Sequence, residues 1–243
     1  MISNFFAVWT ITCLVFFLGC NNEETVTTDD KSSNLPKTPV AHDQSCNQAN
    51  QTINSISESV ALINRLPKPV TLPCFLSSLQ RPLSIIATDS ELSVQPAISR
   101  SQPRIFLVSA SLIFSVVPGD PILEFGEIFD DQMSIKGEIV FPLTEEIAEN
   151  LPFVNTGAIF NDAKRCGNAC HPSIVELENI GGEIKYASQM VRPNPDSIIP
   201  LEELEQYSEN CLDSNEQACQ LYQSIFTHGE LIPYEFDESL PFF

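Results

Sequence analysis

Basic residues are scarce in this chain. Its 12 lysines and arginines face 32 aspartates and glutamates, a formal charge of −20 over 243 residues. Such a surface repels phosphate and argues against a nucleic-acid partner; anionic lipid headgroups repel it too. Cations and basic proteins are what it favours. Histidine is rare as well, 3 in the chain, with none between His42 and His171. There is no Ser–His–Asp order, no glycine-rich phosphate loop and no repeat of fixed period. Paired acids such as Glu202 and Glu203 fall next to each other on an expected exposed helix, where solvent is their neighbour, so the reading leans away from an enzyme.

What is present begins with an export signal. Residues 5–19, FFAVWTITCLVFFLG, are apolar but short for a membrane span. The polar Pro/Ser/Thr-rich stretch 20–45 reads as a flexible linker. At their junction Phe17-Leu18-Gly19-Cys20 resembles the lipobox of bacterial lipoproteins. That resemblance implies a signal peptide over 1–19, lipidation of Cys20 and, because Asn21 and Asn22 carry no Asp retention signal, an outer-membrane location on the periplasmic or surface side. Export implies an oxidising compartment. Without Cys13 and Cys20 six cysteines remain, and proximity pairs Cys46 with Cys74 and Cys211 with Cys219.

The body of the chain predicts an α+β fold. Ile53, Ile56, Val60 and Ile63 recur at helical spacing, and Pro67 ends that helix. Strands are expected at 83–87, around 91–95, at 104–117 (or a hairpin turning near Ser109–Ser111), at 122–128 and at 134–141. These place a β-rich domain over 46–150, an antiparallel sheet or sandwich with one N-terminal helix. A short helix is expected over 143–150. The remainder, 151–243, reads as a small, mainly α-helical segment. Pro200 starts one helix, Ser214 and Gln217 suggest a capping box for the next, and Gly229 stops it. Between 193 and 243 there are 11 acidic residues and no lysine or arginine.

Residues 164–172, KRCGNACHP, raise the sharpest question. Two thiols on about one turn followed by histidine are what covalent haem requires. Here Cys166 and Cys170 stand four apart and His171 follows. Residues 157–171, GAIFNDAKRCGNACH, resemble the entry of c-type cytochromes. The resemblance implies haem c on Cys166 and Cys170 with His171 as proximal iron ligand. Met190 is the first candidate for the sixth ligand, with His228 and Met133 behind it. A Cys166–Cys170 disulfide and a zinc or copper site are the competing readings. Two functions from different classes follow. One is a lipid-anchored haem c protein passing single electrons at a membrane face to a redox partner, for which the acidic surface favours a basic protein. The other is a non-enzymatic, disulfide-stapled surface lipoprotein that binds a protein partner through its acidic face.

Overall fold

The computed structural model describes Cys46 and residues 52–93, 95–154, 173–211 and 216–243. The expected export signal and linker, with Cys20, and Cys166, Cys170 and His171 lie outside the described residues. Two helices lead, α1 (Ile56–Arg65) and α2 (Leu72–Ser77). Five strands follow: β1 (Leu83–Thr88), β2 (Arg104–Ser109), β3 (Leu112–Val116), β4 (Ile122–Ile128) and β5 (Met133–Val140). Next come the hairpin β6 (Val175–Ile180) and β7 (Glu183–Gln189), the short β8 (Ile198–Ile199), helices α3 (Leu201–Glu209) and α4 (Gln217–Phe226), and β9 (Leu231–Pro233).

All nine strands form one sheet in the order β6-β7-β5-β4-β3-β2-β1-β8. The pairings are antiparallel except that β9 runs parallel to β1. One edge of β1 takes β2; its other edge is shared, by β8 at Ala87 and Thr88 and by β9 from Leu83 to Ile85. The molecule is therefore mostly sheet with few helices. The expected division at 150 falls inside this sheet: segment 151–243, expected to be mainly helical, supplies β6 to β9 as well as α3 and α4. Residues 143–150 form no helix, and 91–93 form no strand.

The sheet is amphipathic in an unusual sense, since both faces of its centre are apolar. Strand side chains alternate between faces. On one face a cross-strand row runs Ile85, Leu107, Phe114, Phe125, Gly137. All but the glycine belong to the main core, with Ile56 and Ile63 of α1, Leu72, Phe75 and Leu76 of α2, and Leu221, Tyr222 and Ile225 of α4. Phe114 meets Phe75 and Phe125 edge to face at centroid distances of 5.6 and 5.8 Å. Gly137 is where α1 comes down on the sheet: a Cβ there would lie 3.1 Å from Pro152 Cβ and 3.3 Å from Ile56 Cδ1. The other face holds a second, smaller cluster of Ile86, Phe106, Val108 and Ile113, covered by Tyr234, Phe236 and Phe243 of the C-terminal segment.

Local signals fix the helices. Ser55 caps α1 by accepting from Glu58 N–H, and the Glu58 carboxylate reaches back past the cap to accept from Asn54 N–H, a variant of the capping box. Ile56 N–H donates to Glu127 Oε2 and pins the start of α1 to β4. A Cys46–Cys74 disulfide ties the chain ahead of α1 to α2, and Cys211–Cys219 ties the end of α3 to the start of α4. The end of α4 is held by Arg81, whose Nη2 donates to the carbonyls of Ser224 and Ile225. Burial lowers the Arg81 pKa to about 10. Gly229, at φ +132°, folds over that side chain; a Cβ there would lie 2.7 Å from Arg81 Cγ.

Phe114 is wholly buried, whereas Phe129 is 54% exposed. Phe114→Ala should cost about 3–5 kcal/mol through lost transfer energy and the cavity left behind. Phe129→Ala should stay within about 0.5 kcal/mol. Urea unfolding midpoints of the two variants test this, and similar midpoints would contradict the placement of the core.

Candidate functional site

Charge on this protein is segregated. The lysine and arginine side chains in the described region engage groups of the chain itself. Lys68 Nζ donates to Ile63 O at the end of α1, Arg81 caps α4, and Arg192 donates to the carbonyls of Leu240 and Glu238. Arg100, Arg104 and Lys185 pair with carboxylates. Lys136 Nζ donates to Ser134 Oγ at 2.7 Å. The carboxylates are not withdrawn in the same way. Glu202, Glu205, Glu209, Glu216, Glu230, Glu235, Asp237 and Glu238 are all exposed. The outward field of the C-terminal third is thus set by acids.

Helix α3, with Glu216 at the start of α4, presents the densest part of this surface. Only Leu204 of α3 is buried, so the helix lies on the body by one narrow stripe. Arg100 fixes it there: Nε and Nη2 bind both Glu203 oxygens at 2.8 and 2.7 Å, and Nη1 binds Asp89 Oδ2 at 2.7 Å. Tyr207 O–H also donates to Glu203 Oε1. Arg100, then Tyr207, hold the Glu203 carboxyl below the usual range. These groups are exposed, so the pairs position the helix more than they stabilise it. Tyr222 O–H donates to Ser101 O at 3.0 Å, which anchors α4 to the same loop. Burial pushes that phenol well above its ordinary pKa.

A second polar feature crosses the smaller-cluster face of the sheet. Arg104 contacts Ser115 Oγ at 2.7 Å and also Ser93 and Glu124, while its guanidinium lies 4.9 Å from the Phe106 ring centroid. Glu124 stands opposite Glu138, and Lys136 opposite Gly126. Ser134 stands opposite Ser188. The belt mixes cations, carboxylates and hydroxyls across five strands. Its hydroxyls are sealed: Ser134 is 1% and Ser188 0% exposed. The Ser134–Lys136 pair has the spacing of a nucleophile and base but no opening for a substrate, and it serves as an internal hydrogen bond.

The expected haem is corrected by this arrangement. Cys46, Cys74, Cys211 and Cys219 are closed in disulfides and cannot carry haem. No group of three or more His, Cys, Asp or Glu among the described residues is arranged to hold a metal. Met190, the expected sixth ligand, is 8% exposed and its N–H donates to Gln132 O at the sheet end. The alternates are apart in the chain's architecture, Met133 opening β5 and His228 following α4. Covalent haem c is withdrawn, and iron ligation by Met190 with it.

No helix among the described residues is long and apolar enough to cross a membrane. Comparison with protein-family models, with curated proteins and with solved structures finds no match.

Lys136 gives the belt a measurable signature. Burial lowers its pKa to about 8; Glu124 opposes that shift and Arg104 adds to it. The unfolded value is near 10.4. Between the two values the unfolded chain binds more protons, so stability rises with pH from about 8 to about 10. Lys136→Met should flatten that rise. Urea midpoints across this range check it, and an unchanged slope in the variant would remove Lys136 as the cause.

Proposed function

We propose that this is an exported, lipid-anchored, non-enzymatic binding module that holds a basic protein partner on its acidic surface. The observation that supports it best is the charge segregation: among the described residues the cations are bound to the chain's own groups, while most acids of α3, Glu216 at the start of α4 and the acids of the C-terminal segment face outward. Solvent-facing carboxylates raise the local concentration of positive groups and orient them on approach. The rigid sheet and two disulfides suit an extracytoplasmic carrier of such a surface. The lipobox-like Phe17-Leu18-Gly19-Cys20 supports anchoring through Cys20, by a lipid and the linker 20–45, at the outer membrane. The same field disfavours nucleic acid.

An octalysine peptide tests the reading directly. Its affinity should fall by more than tenfold between roughly 0.01 and 0.15 M salt, as the screening length shrinks from about 30 to about 8 Å. Replacing Glu202, Glu205 and Glu209 by Gln should weaken binding severalfold. Replacing Glu145, Glu146 and Glu149, which are exposed on the 143–150 segment, should do less. Salt-insensitive binding, or equal loss in both triple variants, would overturn a specific acidic docking face.

A further inference from the structure

We propose that the cleft between α2, the β3–β4 turn, the end of β5 and the start of α4 receives one apolar side chain of that basic partner, flanked by its lysines or arginines. The inference rests on the binding reading above and locates its anchor point. The cleft has a volume of about 160 Å³. A cavity of roughly 150 Å³ lined by apolar side chains accepts a benzene-sized group, so a single Phe, Leu or Met side chain matches the space. Its walls are Leu72, Pro73, Pro121, Phe141, Pro142 and Leu221, drawn from four separate elements. Prolines stiffen such walls because their φ is fixed, and a preformed pocket lowers the ordering cost of binding.

The walls themselves are held by contacts already described. Thr71 accepts from Cys74 N–H and sets the start of α2, which the Cys46–Cys74 disulfide secures. Asp120, on the rim, accepts from Ile122 N–H at 3.2 Å and from Gln95 Nε2 at 3.4 Å, which fixes the turn. Gly119 in that turn has φ +93°, a conformation that favours glycine.

Charge complementarity selects a basic occupant. Gln217, Gln220 and Leu221 line the cleft from one face of α4, and the exposed Glu216 immediately precedes them. Cys211–Cys219, with Cα atoms 5.3 Å apart, brings the end of α3, which carries exposed Glu209, to that same end of α4. Asp120 adds a carboxylate on the opposite rim. An apolar centre with Asp120 in its lining and Glu216 next to Gln217, on a chain of net charge −20, is the complement of an apolar residue between lysines. Central apolar anchors with a charged rim are the usual division of labour at protein interfaces.

Two short peptides separate the parts of this proposal. Lys-Lys-Phe-Lys-Lys should bind the mature protein about tenfold or more tightly than Lys-Lys-Ala-Lys-Lys, the ratio expected when a phenyl ring is buried. Nuclear Overhauser contacts should join the peptide ring to Phe141, Pro142 and Leu221. Gln217→Trp, placed at an exposed helix start where it can plug the cleft, should remove the Phe advantage and leave the salt-dependent binding of the Ala peptide. A circular-dichroism spectrum matching the parent protein confirms that the variant folds. Equal affinity of the two peptides, or a Phe advantage that survives Gln217→Trp, would overturn the cleft while the acidic-surface reading stands. If neither peptide binds at low salt, both fall.

Discussion

The structure depends on one constraint: the first face of the sheet must be covered by helices along its whole aromatic row. Phe114 is the pivot. It touches Phe75 from α2 and Phe125 from β4, so the helix layer and the strand layer share one packing unit. From that contact the positions of α1, α2 and α4 follow. Gly137 admits Ile56, the Ser55 cap and Glu127 aim α1, and Arg81 ends α4 against β1. Dispersion contacts of this kind are individually small and collectively decisive.

A second consequence follows from the way cations are used. In a protein so acidic, each lysine or arginine is attracted to the nearest carboxylate or helix C-terminus of its own chain. Lys68 and Arg81 sit at helix ends, where the unpaired carbonyls concentrate negative potential. Arg192 binds the carbonyls of the C-terminal segment, stacks on Phe242 at 4.8 Å and so closes that segment near β7. The scarcity of basic residues and the acidity of the surface are therefore one fact. Among the described residues folding engages the cations internally, and the outward field is set by the acids.

Much of the first half was legible from local pattern. The α1 stripe, the β2–β3 hairpin with its two-residue turn at Ala110 and Ser111, and the strands β4 and β5 all carry clear periodicity. Both short-range disulfides were legible from proximity. The second half misled for identifiable reasons. Gly181 and Gly182 have φ of +59° and +97°, the turn that a tight hairpin requires, and Val175-Glu176-Leu177-Glu178 alternates apolar with acidic residues, a strand cue that the expectation of a mainly helical 151–243 segment overrode. Pairing of β8 and β9 with β1 spans more than a hundred residues of chain, which no local signal encodes. Helix α4 starts at Gln217 after Glu216, without a side-chain cap, so Gln217 is not the third residue of a capping box; Ser214 lies outside the described residues. The carboxylates of α3 were readable as a surface. The cleft beside them was not, since its walls come from residues near 72, 120, 141 and 220 that only the folded sheet assembles.

That assembly explains why the acidic tract and the cleft fall together. The loop between α3 and α4 is short and closed by Cys211–Cys219, so α3 cannot swing away from α4. Helix α4 is pressed onto the main core by Leu221, Tyr222 and Ile225, and this leaves Gln217 and Gln220 at the cleft's edge. The same burial that stabilises α4 therefore keeps Glu216, and through the disulfide the Glu209 end of α3, beside an apolar pocket. Affinity from a shallow cleft alone would be small, and attraction from exposed carboxylates alone would be unspecific. Their juxtaposition on one disulfide-closed helical pair gives orientation to the first and selectivity to the second, which neither supplies alone.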